Sequence, residues 1–337
     1  MRRIEIALVF VCILFSDTAI SATLKVPSQY PYPQAAADVA AAGDTILISA
    51  GSYNVAPGSL SCVLNLEPAH SDLTIIGESG RSLTIFNGSI HLWSSRNVTI
   101  KGLTIDNDIV GSYGIWINAA SGHIISECEI SSGFHAGIWI NSFASTIGAS
   151  SITISNNTIH NNALGIRLSD SYPPDVDIQI TDNIIFNNAN AGIDVYYKYV
   201  YLANNTITNN GGMGINCSPP GTLTGTKPFI TKNIITNNVL CGISVGGFAD
   251  IHCNNVWHNG YGNANYVGNL PDQTGYNGNI STDPFFCNAG ASDYSLAANS
   301  AALLAACGPI GAITTPGCSN QTPVEQATWG AIKALYR

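Results

Sequence analysis

Charge is scarce in this sequence. Only 10% of its 337 residues are Asp, Glu, Lys or Arg, where about a quarter is usual. Basic residues are scarcest, 12 against 21 acidic, for a net charge of −9. That balance excludes a nucleic-acid partner, whose phosphates require a basic face, and attraction to an anionic membrane surface. Disorder is excluded for most of the length, since disordered chains are poor in apolar residues and this one is 45% hydrophobic. No two cysteines have a Cys-x-x-Cys spacing and no Cys/His group has zinc-knuckle spacing, which excludes structural zinc. What fills the space left by charge is glycine, 33 residues of it, with a heavy load of Asn, Ser and Thr.

The N-terminus reads as an export signal. Arg2 and Arg3 precede an apolar run from Ile6 to Phe15, Asp17 closes it, and Thr18-Ala19-Ile20-Ser21-Ala22 supplies small residues for cleavage. The run is too short to cross a bilayer, which takes roughly 20 residues, and no later stretch approaches that length. Residues 1–21 are expected to leave, so that the mature chain starts at Ala22 and the protein is secreted or held at the cell surface. Cys12 leaves with the signal. Cys62, Cys128, Cys217, Cys241, Cys253, Cys287, Cys307 and Cys318 remain, and an oxidising compartment permits disulfides among them. Cys128, Cys217 and Cys241 fall inside the repeats, where a small buried thiol competes with a bridge.

The sequence repeats itself. Ile154-Ser-Asn-Asn157-Thr-Ile159, Ile180-Thr-Asp-Asn183-Ile-Ile185, Leu202-Ala-Asn-Asn205-Thr-Ile207, Ile230-Thr-Lys-Asn233-Ile-Ile235 and His252-Cys-Asn-Asn255-Val-Trp257 superimpose. Each is followed by more Asn, as at Asn161-Asn162 and Asn187-Asn188. A Gly-Ile landmark recurs at Gly114, Gly137, Gly165, Gly192, Gly214 and Gly242, at intervals of 22 to 28 residues. Within each unit apolar residues alternate with a period of two, the mark of strands. Three short strands per coil, separated by Asn and Gly, predict an all-β chain wound as a right-handed single-stranded parallel β-helix. Asn157, Asn183, Asn205, Asn233 and Asn255 are expected to tolerate left-handed backbone at the bends and to hydrogen-bond in a ladder up the stack.

The ends read as caps, because an open stack exposes its core and strand edges. An Ala-rich helix is expected over residues 34–42, stopped by Gly43-Asp44, with the first strand beginning at Thr45. The organisation is then a signal over 1–21, an N-terminal cap and first coil over 22–60, coils over 61–260, a loop-rich C-terminal cap over 261–318, and a tail over 319–337.

Val26-Pro-Ser-Gln-Tyr-Pro31, Gln34-Ala-Ala and Gly43-Asp-Thr-Ile-Leu-Ile-Ser-Ala-Gly-Ser-Tyr53 resemble the opening of secreted right-handed parallel β-helix proteins of the pectate-lyase-like superfamily. Asn277-Gly-Asn-Ile-Ser-Thr-Asp-Pro-Phe-Phe-Cys287, Tyr294-Ser-Leu and Cys307-Gly-Pro-Ile-Gly-Ala312 are similar to the closing segment of a bacterial subgroup. The resemblance covers roughly residues 25–318. It implies the fold and a carbohydrate context, but a superfamily of lyases, hydrolases, epimerases and inactive members does not fix chemistry. It also implies disulfides Cys253–Cys287 and Cys307–Cys318. The tail, with Thr-Trp329-Gly-Ala-Ile332-Lys, is similar to endings of exported bacterial proteins and reads as a sorting or anchoring tag, or as an amphipathic helix packed on the last coil.

No complete catalytic set of that superfamily is present. The Asp-Asp, Gly-His-Gly and Arg-Ile-Lys of polygalacturonase-like hydrolases are absent, as is an epimerase-like Asp-Pro-His-Asp. One surface concentrates chemistry. The residue after each Gly-Ile points outward, which stacks Trp116, Trp139, Arg167, Asp194, Asn216 and Ser244 in a column, with Asn118, Asn141, Ser169, Tyr196, Ser218 and Gly246 beside it. His135 falls on the same side. The tryptophans offer platforms for sugar faces or pack under loops. Arg167 and Asp194 read sugar polar groups, form a surface ion pair, or with His135 act as catalysts. Asp106, Asp108, Glu127 and Glu129 on neighbouring coils are oxygen ligands suited to calcium, or a solvated face. The leading expectation is a protein that binds, and cleaves or modifies, a polysaccharide or cell-surface glycan. The alternative is a non-catalytic structural or adhesive surface module.

Overall fold

The computed structural model describes residues 21–55, 62–108, 113–141, 151–169, 177–196, 199–218 and 227–321. The segment expected to be an export signal, except for Ser21, and almost all of the C-terminal tail lie outside these residues. The chain winds as a right-handed parallel β-helix with three long sheets of ten, nine and nine strands. Sheet A starts at Thr23–Val26 and ends at Asp250–His252, sheet B runs from Gly51–Asn54 to Asn255–Trp257, and sheet C from Cys62–Leu66 to Tyr266–Gly268. A single coil shows the plan: Ile152–Ser155 in sheet A, Thr158–His160 in sheet B, Ile166–Ser169 in sheet C.

Alternation sets the core. On sheet A, Ile100, Ile125, Ile154, Ile180, Leu202, Ile230 and Ile251 pair in register and stack inward, almost entirely buried. Burying each such side chain is worth about 1.5–3 kcal/mol against leaving it in water. A coil cannot bury its inward face alone, so stability comes from stacking.

The corner between sheets A and B is pinned by an asparagine ladder. The backbone N–H and Nδ2 of Asn183 both donate to Oδ1 of Asn205, at 3.1 and 3.0 Å, and Nδ2 also reaches the Ile154 carbonyl at 2.9 Å. The pattern runs Asn157, Asn183, Asn205, Asn233, Asn254, Asn279. The rung expected of Asn255 is therefore taken by Asn254. Ile230 pairs with Ile251 and Ile234 with Asn255, so Asn254 lies opposite Asn233. Asn255 instead opens a sheet B strand and bonds the Thr282 backbone through both side-chain atoms. The left-handed conformation also belongs to a different residue, the one before each ladder Asn: Asn156, Asp182, Asn204, Lys232 and Cys253 all have φ between 53° and 58°. Two adjacent residues thus divide the tasks that the sequence assigned to one Asn.

A second ladder pins the corner between sheets B and C, through Asn162, Asn188, Asn210, Asn238 and Asn259. It explains the Gly-Ile landmark. A Cβ on Gly137 would lie 2.9 Å from Asn162 Nδ2 and 2.9 Å from the Ile159 side chain, so only glycine leaves room for the ladder amide.

The N-terminal helix does cover the first rung, but it spans only Pro33–Ala37. Its Gln34 side chain accepts from the Asn65 N–H at 2.7 Å and donates to the Asn65 carbonyl at 3.2 Å, satisfying the open edge of sheet C. The first coil opens earlier than expected, because Thr23–Val26 pairs with Thr45–Ile48. Asp44 ties that pairing to the helix turn by accepting the N–H groups of Ala22 and Ala41, and these bonds hold its carboxyl below the usual range.

The C-terminal segment does more than close the stack. It folds back along sheet B as a small sheet of Phe286–Asn288, Asp293–Ala297 and Pro316–Cys318. Leu296, Ala302 and Ile310 bury Ile234 there. This reversal sets the disulfides as Cys253–Cys307 and Cys287–Cys318, not the Cys253–Cys287 and Cys307–Cys318 implied by the resemblance. Pairing of Asp293–Ala297 with Pro316–Cys318 in that sheet brings Cys318 to Cys287, while the turn at Cys307 reaches the corner at Cys253. Cys128, Cys217 and Cys241 are buried thiols outside these bridges, pushed up by burial to about 11, about 12 and about 11.

Candidate functional site

The outward column of sheet C stands in register: Trp116 pairs with Trp139, Trp139 with Arg167, Arg167 with Asp194, Asp194 with Asn216, and Asn216 with Ser244. It also extends upstream, since His91 pairs with Trp116 and Trp93 with Asn118. The sequence reading missed both because Ser89–Trp93 carries no Gly-Ile landmark. The signal was the 25-residue interval from His91 to Trp116, one coil length.

The aromatic groups form one cluster. The Trp116 and Trp139 rings stack at 5.6 Å with planes 10° apart, and Tyr113 stacks on Trp139 at 4.4 Å and on His135 at 5.2 Å. Trp93 and His91 meet Trp116 edge-on at 5.2 and 5.3 Å. The flat faces that the sequence offered to sugars are therefore partly spent on each other. Free aromatic surface comes from Trp93, 47% exposed, Phe134, 55% exposed, and Tyr196.

The polar groups below are nearly buried. Trp116 Nε1 donates to Asn141 Oδ1 at 3.2 Å, and Trp139 Nε1 to Ser169 Oγ at 2.6 Å, so each indole bonds the next rung. Asn118 and Asn141 sit beneath the rings, and Asn118 Oδ1 and Asn141 Nδ2 have no partner. Arg167 lies over the Tyr196 ring, 6.0 Å from guanidinium carbon to centroid, with Nε buried and unpartnered. Asp194, 7% exposed, accepts from Asn216 Nδ2 at 2.8 Å, and Asn216 accepts from Ser218. Among the described residues, no ion pair within 4.0 Å joins Arg167 to Asp194. His135 is exposed and reaches neither. Burial holds the His91 imidazole below its ordinary value, and raises the Tyr113 phenol against the opposing pull of the Arg167 charge.

The four acids suited to calcium do not converge. Glu127 turns to Lys101 Nζ at 2.9 Å, Glu129 to His160 Nε2 at 3.1 Å, and Asp106 accepts from Ser131 at 3.3 Å. Asp108 is exposed. Among the described residues, no group of three or more His, Cys, Asp or Glu gathers for a metal ion. No described helix is long and apolar enough to cross a membrane.

Comparison with known proteins places this architecture. No curated protein matches the chain by sequence. Among solved structures, pectate lyase Pel9A is similar with a TM-score of 0.59 and 16% identity, over 85% of this chain and 90% of that one. The A-module of mannuronan C-5 epimerase AlgE6 from Azotobacter vinelandii is similar with a TM-score of 0.52 and 18% identity, over 67% of this chain and 65% of that one. The periplasmic alginate epimerase AlgG follows at 0.50 and 16%, over 71% and 59%. At such identities the likeness is one of fold. By sequence, residues 88–257, half of the chain and the stretch that carries all but the last rung of each asparagine ladder, match the right-handed β-helix region, and the chain belongs to that family.

Proposed function

We propose that the protein is exported and that the outward face of sheet C binds a polysaccharide along the coil axis. The observation that carries this is the run of Trp93, Trp116 and Trp139 into Arg167, a cation whose Nε is buried without a partner. Rungs about 4.8 Å apart give a chain-like ligand a repeating set of contacts. The indole edges and Tyr196 offer apolar surface to sugar C–H groups, while Arg167 and Asp194 meet hydroxyls or a carboxylate. Similar folds named for pectate, mannuronan and alginate support a glycan over other ligands. Asp194 is engaged by Asn216 and, among the described residues, no second carboxylate stands on this column, which favours binding over cleavage.

The test is affinity for polygalacturonate, alginate and xylan by the chain lacking residues 1–21, with reducing-end release assayed alongside. At least one polymer is expected to bind, without release. Trp93→Ala is expected to weaken binding about tenfold, the worth of one aromatic contact. Arg167→Ala is expected to weaken it at least as much. No binding by any polymer, or affinity indifferent to both substitutions, overturns the reading. Release lost in Asp194→Ala would replace binding by catalysis at the same column. N-terminal sequencing of the exported protein is expected to begin at Ala22.

A further inference from the structure

A second cleft lies away from that face, on the outer side of sheet B. It holds about 440 Å³, between the fold-back of the C-terminal segment, represented by Ser292, and the loop that carries Arg81. It exists because the C-terminal segment covers only the later rungs. Its Tyr294 stops against Phe186, ring centroids 5.0 Å apart, and leaves the rungs of Glu129 and His160 open.

The polar groups here are held in place but not satisfied. The Glu129 carboxylate accepts from His160 Nε2 at 3.1 Å and, among the described residues, has no other hydrogen-bond partner. That bond holds its carboxyl below the usual range, so Glu129 stays an acceptor at neutral pH. The His160 ring is braced from the far side by Phe186, stacked at 4.9 Å, and its Nδ1 is buried without a partner. Arg81 has spent one donor on the Cys128 carbonyl at 3.4 Å. Its remaining guanidinium N–H groups, with Thr158, Asn161 and Asn187, line the same space.

We infer that this cleft is a second binding site, for a neutral sugar unit of one or two rings. Charge selects the class. Glu129 repels an anion, Arg81 repels a cation, and the pair together leave the cleft near neutral. A carboxylate acceptor, guanidinium donors, hydroxyl and amide groups suit a ligand that presents many hydroxyls and no charge. The volume falls within the range of small-molecule sites and suits a disaccharide. The site does not depend on the reading of sheet C.

The experiment follows the His160 imidazole resonances of the whole mature chain by NMR. The probes are maltose, cellobiose, xylobiose and lactose, with inorganic phosphate, galacturonate and calcium chloride as charged controls. At least one disaccharide is expected to shift His160 saturably. Glu129→Gln, which keeps the shape, is expected to weaken that binding about tenfold or more, as loss of a charged hydrogen-bond acceptor should. Thr158→Val gives a second reading should the first variant misfold. In the Trp93→Ala/Arg167→Ala double variant the His160 shift is expected to persist even where polymer binding is lost, which separates the two sites. No saturable shift with any disaccharide, or the same affinity in Glu129→Gln and Thr158→Val, overturns the inference. Saturation by phosphate, galacturonate or calcium alone would show a charged-ligand site and overturn it as well.

Discussion

At the scale of single residues, His123 is tightly controlled by its surroundings. It is fully buried, its Nδ1 accepts the Val98 N–H at 3.1 Å, and burial lowers it to about 4. Protonation would both charge the interior and remove that acceptor. Between pH 6.5 and 4 the unfolded chain binds a proton that the folded one refuses, so stability falls as pH drops through this window and is complete above it. The shift corresponds to a loss on the order of 3 kcal/mol. Urea midpoints measured at pH 7.5 and 4.5 should show the fall in the wild type. His123→Gln, which keeps an acceptor and does not titrate, should flatten it, leaving a residual slope of the same sign from His91. Single residues were unevenly legible. Arg167 and Asp194 could be placed on one face from alternation, because strand parity is local. The mutual stacking of Trp116 and Trp139, and the Glu129–His160 pair, depend on side-chain directions between coils, which alternation does not specify.

At the scale of the element, the corner carries more than the strand. Each strand is three to six residues, too short to define its own register, while Asn188 alone ties three coils. Its Oδ1 accepts from the backbone and side chain of Asn162, and its Nδ2 donates to Ile159, Phe186 and Asn210. Asn188→Ala strands several buried donors and acceptors at once, each costing about 1–3 kcal/mol. A loss of at least about 3 kcal/mol is therefore expected in a denaturant titration. Asn187→Ala, which alters only the neighbouring left-handed position at φ 52°, should cost less, about 1–2 kcal/mol. Equal losses in the two variants would refute the division of labour within the doubled Asn. The first ladder was readable because Asn has few other reasons to recur at one coil length, whereas the Asn pairs of the second were visible only as recurring residues with no role assigned. The slip between Asn254 and Asn255 was not, since both are Asn and only sheet pairing separates them.

At the scale of the molecule, the C-terminal segment is bound to the coils by one covalent link, Cys253–Cys307, and one small apolar cluster, and is closed on itself by Cys287–Cys318. The loops closed by Cys253–Cys307 and Cys287–Cys318 span 54 and 31 residues, for which chain entropy gives about 4 kcal/mol each. Reduction should release this segment while the stacked sheets persist. Hydrogen exchange is expected to speed up over residues 284–318 and at Ile234, with little change at Ile125 or Ile154. Uniform loosening of the whole chain would refute this. The disulfide pairing was hidden from the sequence because it depends on the segment reversing along sheet B, a contact between residues far apart in the chain.

The coils vary in length most at one corner. Five residues always separate Ile154 from Ile159, Ile180 from Ile185, Leu202 from Ile207 and Ile230 from Ile235, across the first ladder. Across the second, Ile185 to Ile193, Ile207 to Ile215 and Ile235 to Ile243 are each eight apart, Ile159 to Ile166 is seven, and Ile105 to Ile115 and Val256 to Tyr266 are ten. From sheet C to the next sheet A strand the interval ranges from eight, Ile243 to Ile251, to 16, Ile138 to Ile154. The first corner is thus held at one length along its ladder, the second varies by a few residues, and the third is left to drift. Insertions and deletions accumulate most freely along the border of the proposed glycan face, so a lineage of such proteins could exchange ligands by resizing that one edge while inheriting its spine nearly unchanged.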